Sequence, residues 1–248
     1  MAIHAILFDI DNTLLDWSAR EVSWFKDPRG HGAHLTTLVQ ALVPDATPAQ
    51  VNAVRDCFDD LQTRIVQDDL DEAPHLGRML ADSLRVSGLL ADPPPIAELV
   101  QLYDWITTPQ VRPFAEVPDA LATLTARGYR LGIITNGYQP IAQRERELAA
   151  YGLLSFFPEC RFSSADVGFL KPDKRIFERA LGCLGLPAAQ VVYVGDHIFM
   201  DVLGAQQAGL KGVWRPPNHL DVASFGWIKP DGIIDTLHDL LPLLDEWP

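Results

Sequence analysis

Cysteine, positive charge and long apolar runs are all scarce in this chain. Its 248 residues include three cysteines, Cys57, Cys160 and Cys183. They are far apart and lack the C-x-x-C pairing of a metal clip or redox site, so they are expected to be buried thiols packing as small hydrophobes. Lys and Arg number 20 against 33 Asp and Glu, a formal charge of −13. That balance repels polyanions and argues against a nucleic-acid polymer as partner. No apolar run approaches the roughly 20 residues that span a bilayer. In the opening stretch MAIHAILFDID, acids stand where a signal peptide would continue its apolar segment. A cytoplasmic protein without membrane contact is therefore expected, with its oligomeric state open.

The chain does have enough apolar residues, 48%, to fill one large core or two smaller ones. Ala5 to Phe8 is a continuous apolar run that stops at Asp9, the pattern of a strand covered on both faces. Leu131 to Ile134 ends likewise at Thr135-Asn136-Gly137, and Val191 to Val194 at Gly195-Asp196. Between them the spacing is helical. Leu121 and Leu124 follow Pro118 and precede Gly128, while Ile176, Phe177, Ala180, Leu181 and Leu184 lie between Pro172, read as the helix opening, and Gly185, read as its stop. Alternating strands and helices predict right-handed βαβ units and an α/β fold with a mostly parallel sheet, whose ligands bind at the carboxyl ends of the strands.

Residues 18–109 break this rhythm. Val51, Val54, Phe58, Leu61 and Ile65 recur at three- and four-residue steps, and Ala91-Asp92-Pro93-Pro94-Pro95 divides the stretch. The expectation is a helical domain over 18–109 inserted into a unit made of 1–17 and 110–248. The acidic run Asp68-Asp69-Leu70-Asp71-Glu72 is read as a solvated helix end.

Asp9 and Asp11 stand two residues apart at a strand end, so an extended backbone turns both carboxylates to one side. With Asp196 from another strand end they offer the hard oxygen ligands that magnesium prefers. Such a cation would relieve the repulsion between a carboxylate nucleophile and a phosphate dianion, which could reach several kcal/mol in a poorly screened pocket. Phosphoryl transfer further needs donors for the equatorial oxygens and a fixed cation. Thr135 offers a hydroxyl, Asn136 and Gly137 offer backbone N–H groups ahead of a helix begun near Pro140, and Lys171 offers a point charge. Singly, each is ordinary: Thr-Asn-Gly makes a turn, Lys-Pro starts a helix, and Asp201 caps one. Four complementary sets at successive strand ends are harder to account for as separate turns.

In order and over nearly the whole chain, these residues resemble the four motifs of the haloacid dehalogenase superfamily, and the insert resembles the helical cap of its phosphatases, which implies a Rossmann-like, doubly wound catalytic core of 1–17 and 110–248 with a cap domain over 18–109. Phe8-Asp9-Ile10-Asp11-Asn12-Thr13-Leu14 is similar to its D-x-D-x-T signature. The resemblance implies that Asp9 is a nucleophile and Asp11 a general acid/base that also lends its backbone carbonyl to magnesium. It implies that Thr135 and Asn136 bind the substrate phosphate, that Lys171 steadies nucleophile and phosphate, and that Asp9, Asp11 and Asp196 hold Mg²⁺. Asp201, the trailing acid of GDHIFMD, would orient a metal-bound water from outside the coordination sphere. The expected activity is magnesium-dependent hydrolysis of a small phosphorylated metabolite, a phosphate monoester, through an aspartyl-phosphate. A phosphomutase, a haloacid dehalogenase and a non-catalytic phospho-acceptor are the rivals, and Asp11 counts against the dehalogenase. Thr135-Asn136-Gly137-Tyr138 and Gln143-Arg144 resemble the branch containing house-cleaning nucleotidases and acylneuraminate-9-phosphate phosphatases. His31, His34, Arg64, His75, Arg78 and Trp105 are candidates to contact a leaving group, and each equally fits a surface or core-edge position.

Overall fold

Side chains alternate across a strand, and the first strand, β1 (Ala5–Phe8), is apolar on both sides because both of its faces are covered. Ile6 and Phe8 enter one hydrophobic cluster, Ala5 and Leu7 another. The structure, a computed structural model, describes residues 2–19, 30–67, 72–217 and 227–247. The side chains of His31 and of residues 64–67 lie outside that description, as do Asp68 to Asp71 of the acidic run.

Among the described residues, β1 is followed by a short strand β2 (Leu15–Asp16) and four helices, α1 (His31–Leu42), α2 (Pro48–Gln67), α3 (Leu76–Val86) and α4 (Ile96–Tyr103). A second short strand, β3 (Arg112–Pro113), pairs antiparallel with β2, so the chain leaves and rejoins the sheet region through one two-stranded neck. Then follow α5 (Val117–Ala126), β4 (Arg130–Thr135), α6 (Ile141–Ala150), β5 (Arg161–Ser163), α7 (Ser164–Val167), α8 (Lys174–Leu184) and β6 (Val191–Gly195). A π-helical turn at Ile198–Leu203 runs into α9 (Gly204–Gln207), followed by β7 (Lys211–Trp214), β8 (Gly232–Ile233) and α10 (Leu240–Asp245).

The main sheet has the order β5-β4-β1-β6-β7-β8, parallel throughout. The chain winds outward from β1 in both directions, so β1 and its neighbours frame the switch point where α/β sheets bind ligands. One face carries Ile6, Phe8, Ile133, Val192 and Val194 against α5, α6 and α10; the other carries Leu7, Ile134, Val191 and Tyr193 against α8 and α9. Each large apolar side chain so buried contributes about 1.5–3 kcal/mol. The four helices between the neck strands have a cluster of their own, including Leu38, Val54, Phe58, Leu80, Leu84, Leu99 and Tyr103. They meet the rest of the chain at the loops after β4 and α7: the Leu76 and Ala73 amides donate to the carbonyls of Tyr138 and Gly168, and Arg146 on α6 pairs with Asp104 at 2.7 Å.

Two expectations need correction. Cys160 and Cys183 are not isolated thiols but a disulfide joining the approach to β5 with α8, where the parallel fold brings residues 23 apart in sequence together; Cys57 alone is free. The helix after Lys171 does not open at Pro172. It starts at Lys174, where the Asp173 side chain accepts from the Arg175 amide and caps it, and it ends as expected at Gly185 in the left-handed conformation.

Candidate functional site

The site is built from turns that follow strands. Directly after Asp9 the chain curls tightly: the Ile10 carbonyl accepts from the amides of Thr13, Leu14 and Leu15, and Asn12 takes the left-handed conformation that Asn tolerates. The Asp9 amide bonds the Val194 carbonyl, so the nucleophile candidate is still anchored in the sheet while Asp11 stands on the turn. Gly195 ends β6, and a Cβ there would overlap the Asp201 carboxylate, so the missing side chain lets Asp201 reach back under the strand end. The result is a cleft of about 240 Å³ lined by Asp9, Asp11, Asn12, Asn136, Lys171, Asp196, His197, Met200 and Asp201.

Lys171 is the hub. Its buried Nζ donates to Asp9 Oδ1 at 2.7 Å, Asp201 Oδ1 at 2.6 Å and the Tyr193 hydroxyl at 2.7 Å. Burial alone would push the ammonium toward neutrality, but Asp201 and Asp9 outweigh it and hold the lysine above its ordinary range. Asn136 grips the same residue from behind, giving Nδ2–H to the Lys171 carbonyl at 3.0 Å and accepting the Lys171 amide at 2.8 Å. Asp201 is doubly engaged, since its Oδ2 also accepts the His197 amide at 2.8 Å. It sits inside the π-helical turn, where His197, not Asp201, is the capping residue.

Burial, then the charges of Asp201 and Asp11, lift the Asp9 carboxyl to about 7 even though Lys171 opposes the rise. Burial, then Asp9 and Asp201, lift Asp196 to about 8. The cleft therefore concentrates negative charge that its lysine does not balance. Carboxylate oxygens of Asp9, Asp196 and Asp201 fall within 4.8 Å of one another, the spacing of a cation site. Both Asp201 oxygens accept hydrogen bonds, whereas for Asp9 only Oδ1 does so among the described residues, which leaves Asp9 Oδ2 and the Asp196 carboxylate as the less engaged oxygens for a hard ion.

The structure brings Asp9, Asp11, Asn136, Lys171, Asp196 and Asp201 together as the sequence spacing predicts. Thr135, at the end of β4, is buried and does not line the cleft. The Gly137 amide is directed to the Ser164 hydroxyl at 3.0 Å, away from any phosphate role. Among the proposed leaving-group contacts, the His34 ring packs tilted against Tyr103, His75 caps α3 through its Nδ1, exposed Arg78 lies 3.9 Å from Glu72, and Trp105 is buried beside Arg144. None of these four lines the cleft; the side chains of His31 and Arg64 lie outside the described residues. Two participants escaped the sequence reading, Tyr193, hidden in an apolar strand run, and Glu147; Arg144 was noted only for a resemblance of branch, not for its buried pairing with Asp11 and Glu147 on α6.

A doubly wound parallel sheet whose switch point carries a lysine-held carboxylate amid further carboxylates defines a class: α/β enzymes that work at the ends of β1 and its neighbours. The chain belongs to the haloacid dehalogenase-like hydrolases, whose family pattern matches residues 3–209. It is 42% identical over 136 residues to a glyceraldehyde 3-phosphate phosphatase of Methanothermobacter thermautotrophicus, a match spanning 55% of this chain and 58% of that protein. With the glyceraldehyde 3-phosphate phosphatase of Methanopyrus kandleri it shares 27% identity over 96% of this chain and 98% of that one. With the pyrimidine 5'-nucleotidase YjjG of Escherichia coli the figure is 37%, over 52% of this chain and 56% of the relative. Two of these three matches thus span little more than half of the relative's length. Among solved structures, a 2-haloacid dehalogenase from Pseudomonas syringae pv. Tomato DC3000 superposes with a TM-score of 0.64 and 26% identity, covering 99% of this chain and 100% of that one.

Proposed function

We propose that the protein hydrolyses small phosphate monoesters with magnesium as cofactor, with Asp9 as nucleophile and Asp11 as general acid/base. One observation carries the reading: Asp9 is fixed by Lys171 at 2.7 Å inside a cleft that also presents Asp11 and Asp196. In the first stage an Asp9 oxygen bonds to phosphorus as the ester P–O bond breaks, and the proton of Asp11 goes to the departing alcohol. In the second, Asp11 takes a proton from water, whose oxygen displaces Asp9 from phosphorus and releases inorganic phosphate. Lys171 holds the nucleophile in place and offsets charge throughout, while Asp201 and Tyr193 hold Lys171. Asp9, Asp196 and the Asp11 backbone carbonyl would hold magnesium, which would supply the positive charge that lets a carboxylate approach a phosphate.

The unit spanning 18–109 is the cap and the remainder the catalytic core. The cap's hydrogen bonds to Tyr138 and Gly168, in loops that follow β4 and α7, support a role for it in contacting the leaving group, and the names of the relatives favour a triose phosphate or a pyrimidine nucleotide as the substrate class. The fold is shared with a protein named a dehalogenase, but that chemistry needs neither the second carboxylate of Asp11 nor a cation-seeking Asp196. The test is phosphate release from a panel of phosphate monoesters, with magnesium or chelator, from the natural sequence and from Asp9→Asn. Magnesium-dependent release that falls by more than about 10³-fold in the variant is expected. Undiminished release by Asp9→Asn would remove the nucleophile assignment.

A further inference from the structure

Asp11 does not stand free in the cleft. Its Oδ1 accepts from Arg144 Nη2 at 2.7 Å and from the Trp17 indole N–H at 2.9 Å, whereas no donor among the described residues reaches Oδ2. Arg144 comes from α6 and is buried with 2% exposure, and Glu147, one turn further on, is wholly buried with a carboxylate oxygen 3.3 Å from Arg144 Nη2. Among the described residues, the Arg144 Nε and both Glu147 oxygens lack hydrogen-bond partners. As a stabilising device this is a poor use of two buried charges, because such pairs seldom recover their desolvation cost without a full set of hydrogen bonds. The arrangement is instead directional: one guanidinium nitrogen sits between Glu147 and Asp11, with Trp105 lying 5.8 Å from the guanidinium.

We infer that Arg144, braced by Glu147, is a positioning residue for proton transfer: with Trp17 it captures Oδ1 of Asp11, so that Oδ2 carries the proton exchanged with the leaving group and with water. In a carboxylic acid the carbonyl oxygen is the better acceptor and the other oxygen bears hydrogen. Two donors on Oδ1 therefore select Oδ2 as the hydroxyl oxygen and fix the plane in which its proton points. Glu147, 3.3 Å from the same guanidinium nitrogen, fixes that nitrogen against Asp11. Trp17 directly follows β2, and Trp105 lies between α4 and β3, so the chain on each side of the four helices touches the arrangement. This inference rests on the hydrolase reading above and adds to it the residues that aim its acid.

The experiment exploits the leaving group. A nitrophenolate departs readily as an anion, whereas an alkoxide needs the proton. Release of p-nitrophenol from p-nitrophenyl phosphate and of glycerol from glycerol phosphate would be followed in single turnovers with magnesium, so that the shared hydrolysis of the intermediate is not read. Arg144→Met is expected to slow glycerol release by roughly 10²-fold or more, in keeping with the usual contribution of a positioned acid, and nitrophenol release less than about five-fold. Trp17→Phe and Glu147→Gln should give smaller losses with the same preference for the alkyl ester, and Arg144→Lys should recover part of the alkyl rate. Thermal melting verifies folding, and if Arg144→Met fails to fold, the three milder variants carry the comparison. Equal losses on both esters in the folded variants would overturn the inference while leaving the hydrolase reading intact. Failure of the natural sequence to release either alcohol would overturn both.

Discussion

Burial lifts the Glu147 carboxyl to about 7, with the Arg144 guanidinium opposing the shift and Asp11 adding to it. An unfolded glutamate releases its proton near pH 4.3, so between that value and about 7 the folded chain holds a proton that the unfolded chain has lost. Folding then binds protons, and stability falls as pH rises through this window. Asp9 and Asp196 are shifted in the same direction and add to the slope. Glu147→Gln should therefore shrink, without abolishing, the drop in Tm between pH 5 and pH 8 in chelator. Melting curves at the two pH values decide it: a variant with an unchanged drop would mean that Glu147 already ionises normally in the folded protein.

The end of β6 is the element on which alignment of the site depends. Gly195 leaves room for Asp201, which in turn holds Lys171 against Asp9. Gly195→Ala would force the Asp201 carboxylate aside, at about 1–3 kcal/mol for overpacking, and should lower kcat more than it raises KM. Denaturant unfolding with steady-state kinetics tests this; unchanged stability and turnover would mean the turn relaxes freely. The strands were legible because a short apolar run halted by an acid suits a strand covered on both faces and ending at a polar cleft. Asp9, Asp11, Lys171 and Asp196 were legible because they sit at those ends or in the loops beyond them. The Arg144–Glu147 pair was not, since charged residues in a helix ordinarily read as its solvated face, and only the packing of α6 behind Asp11 buries them. Nothing in the spacing of three cysteines brings Cys160 to Cys183; the fold does. Likewise Gly137 donates inward because Ser164, from a different loop, lies within reach.

For the whole molecule, charge balance governs response to ions. The chain carries −13, and the cleft gathers Asp9, Asp11, Asp196 and Asp201 around one lysine. A divalent cation should raise Tm, with a stabilisation of about 2.7 kcal/mol when its concentration is 100 times Kd. The gain should be larger at pH 8 than at pH 5, because the carboxyls lifted to about 7 and about 8 must release protons to bind it. Scanning calorimetry with magnesium or chelator, repeated on Asp196→Ala, checks this; an equal gain in that variant would move the ion elsewhere. The neck formed by β2 and β3 has a separate consequence. Because the two strands are paired, the points where the chain leaves and returns lie only about 5 Å apart. A replacement helical unit of any length whose ends meet at that spacing could be grafted there without altering the strand order of the main sheet, so the two hydrophobic clusters can be exchanged as separate parts.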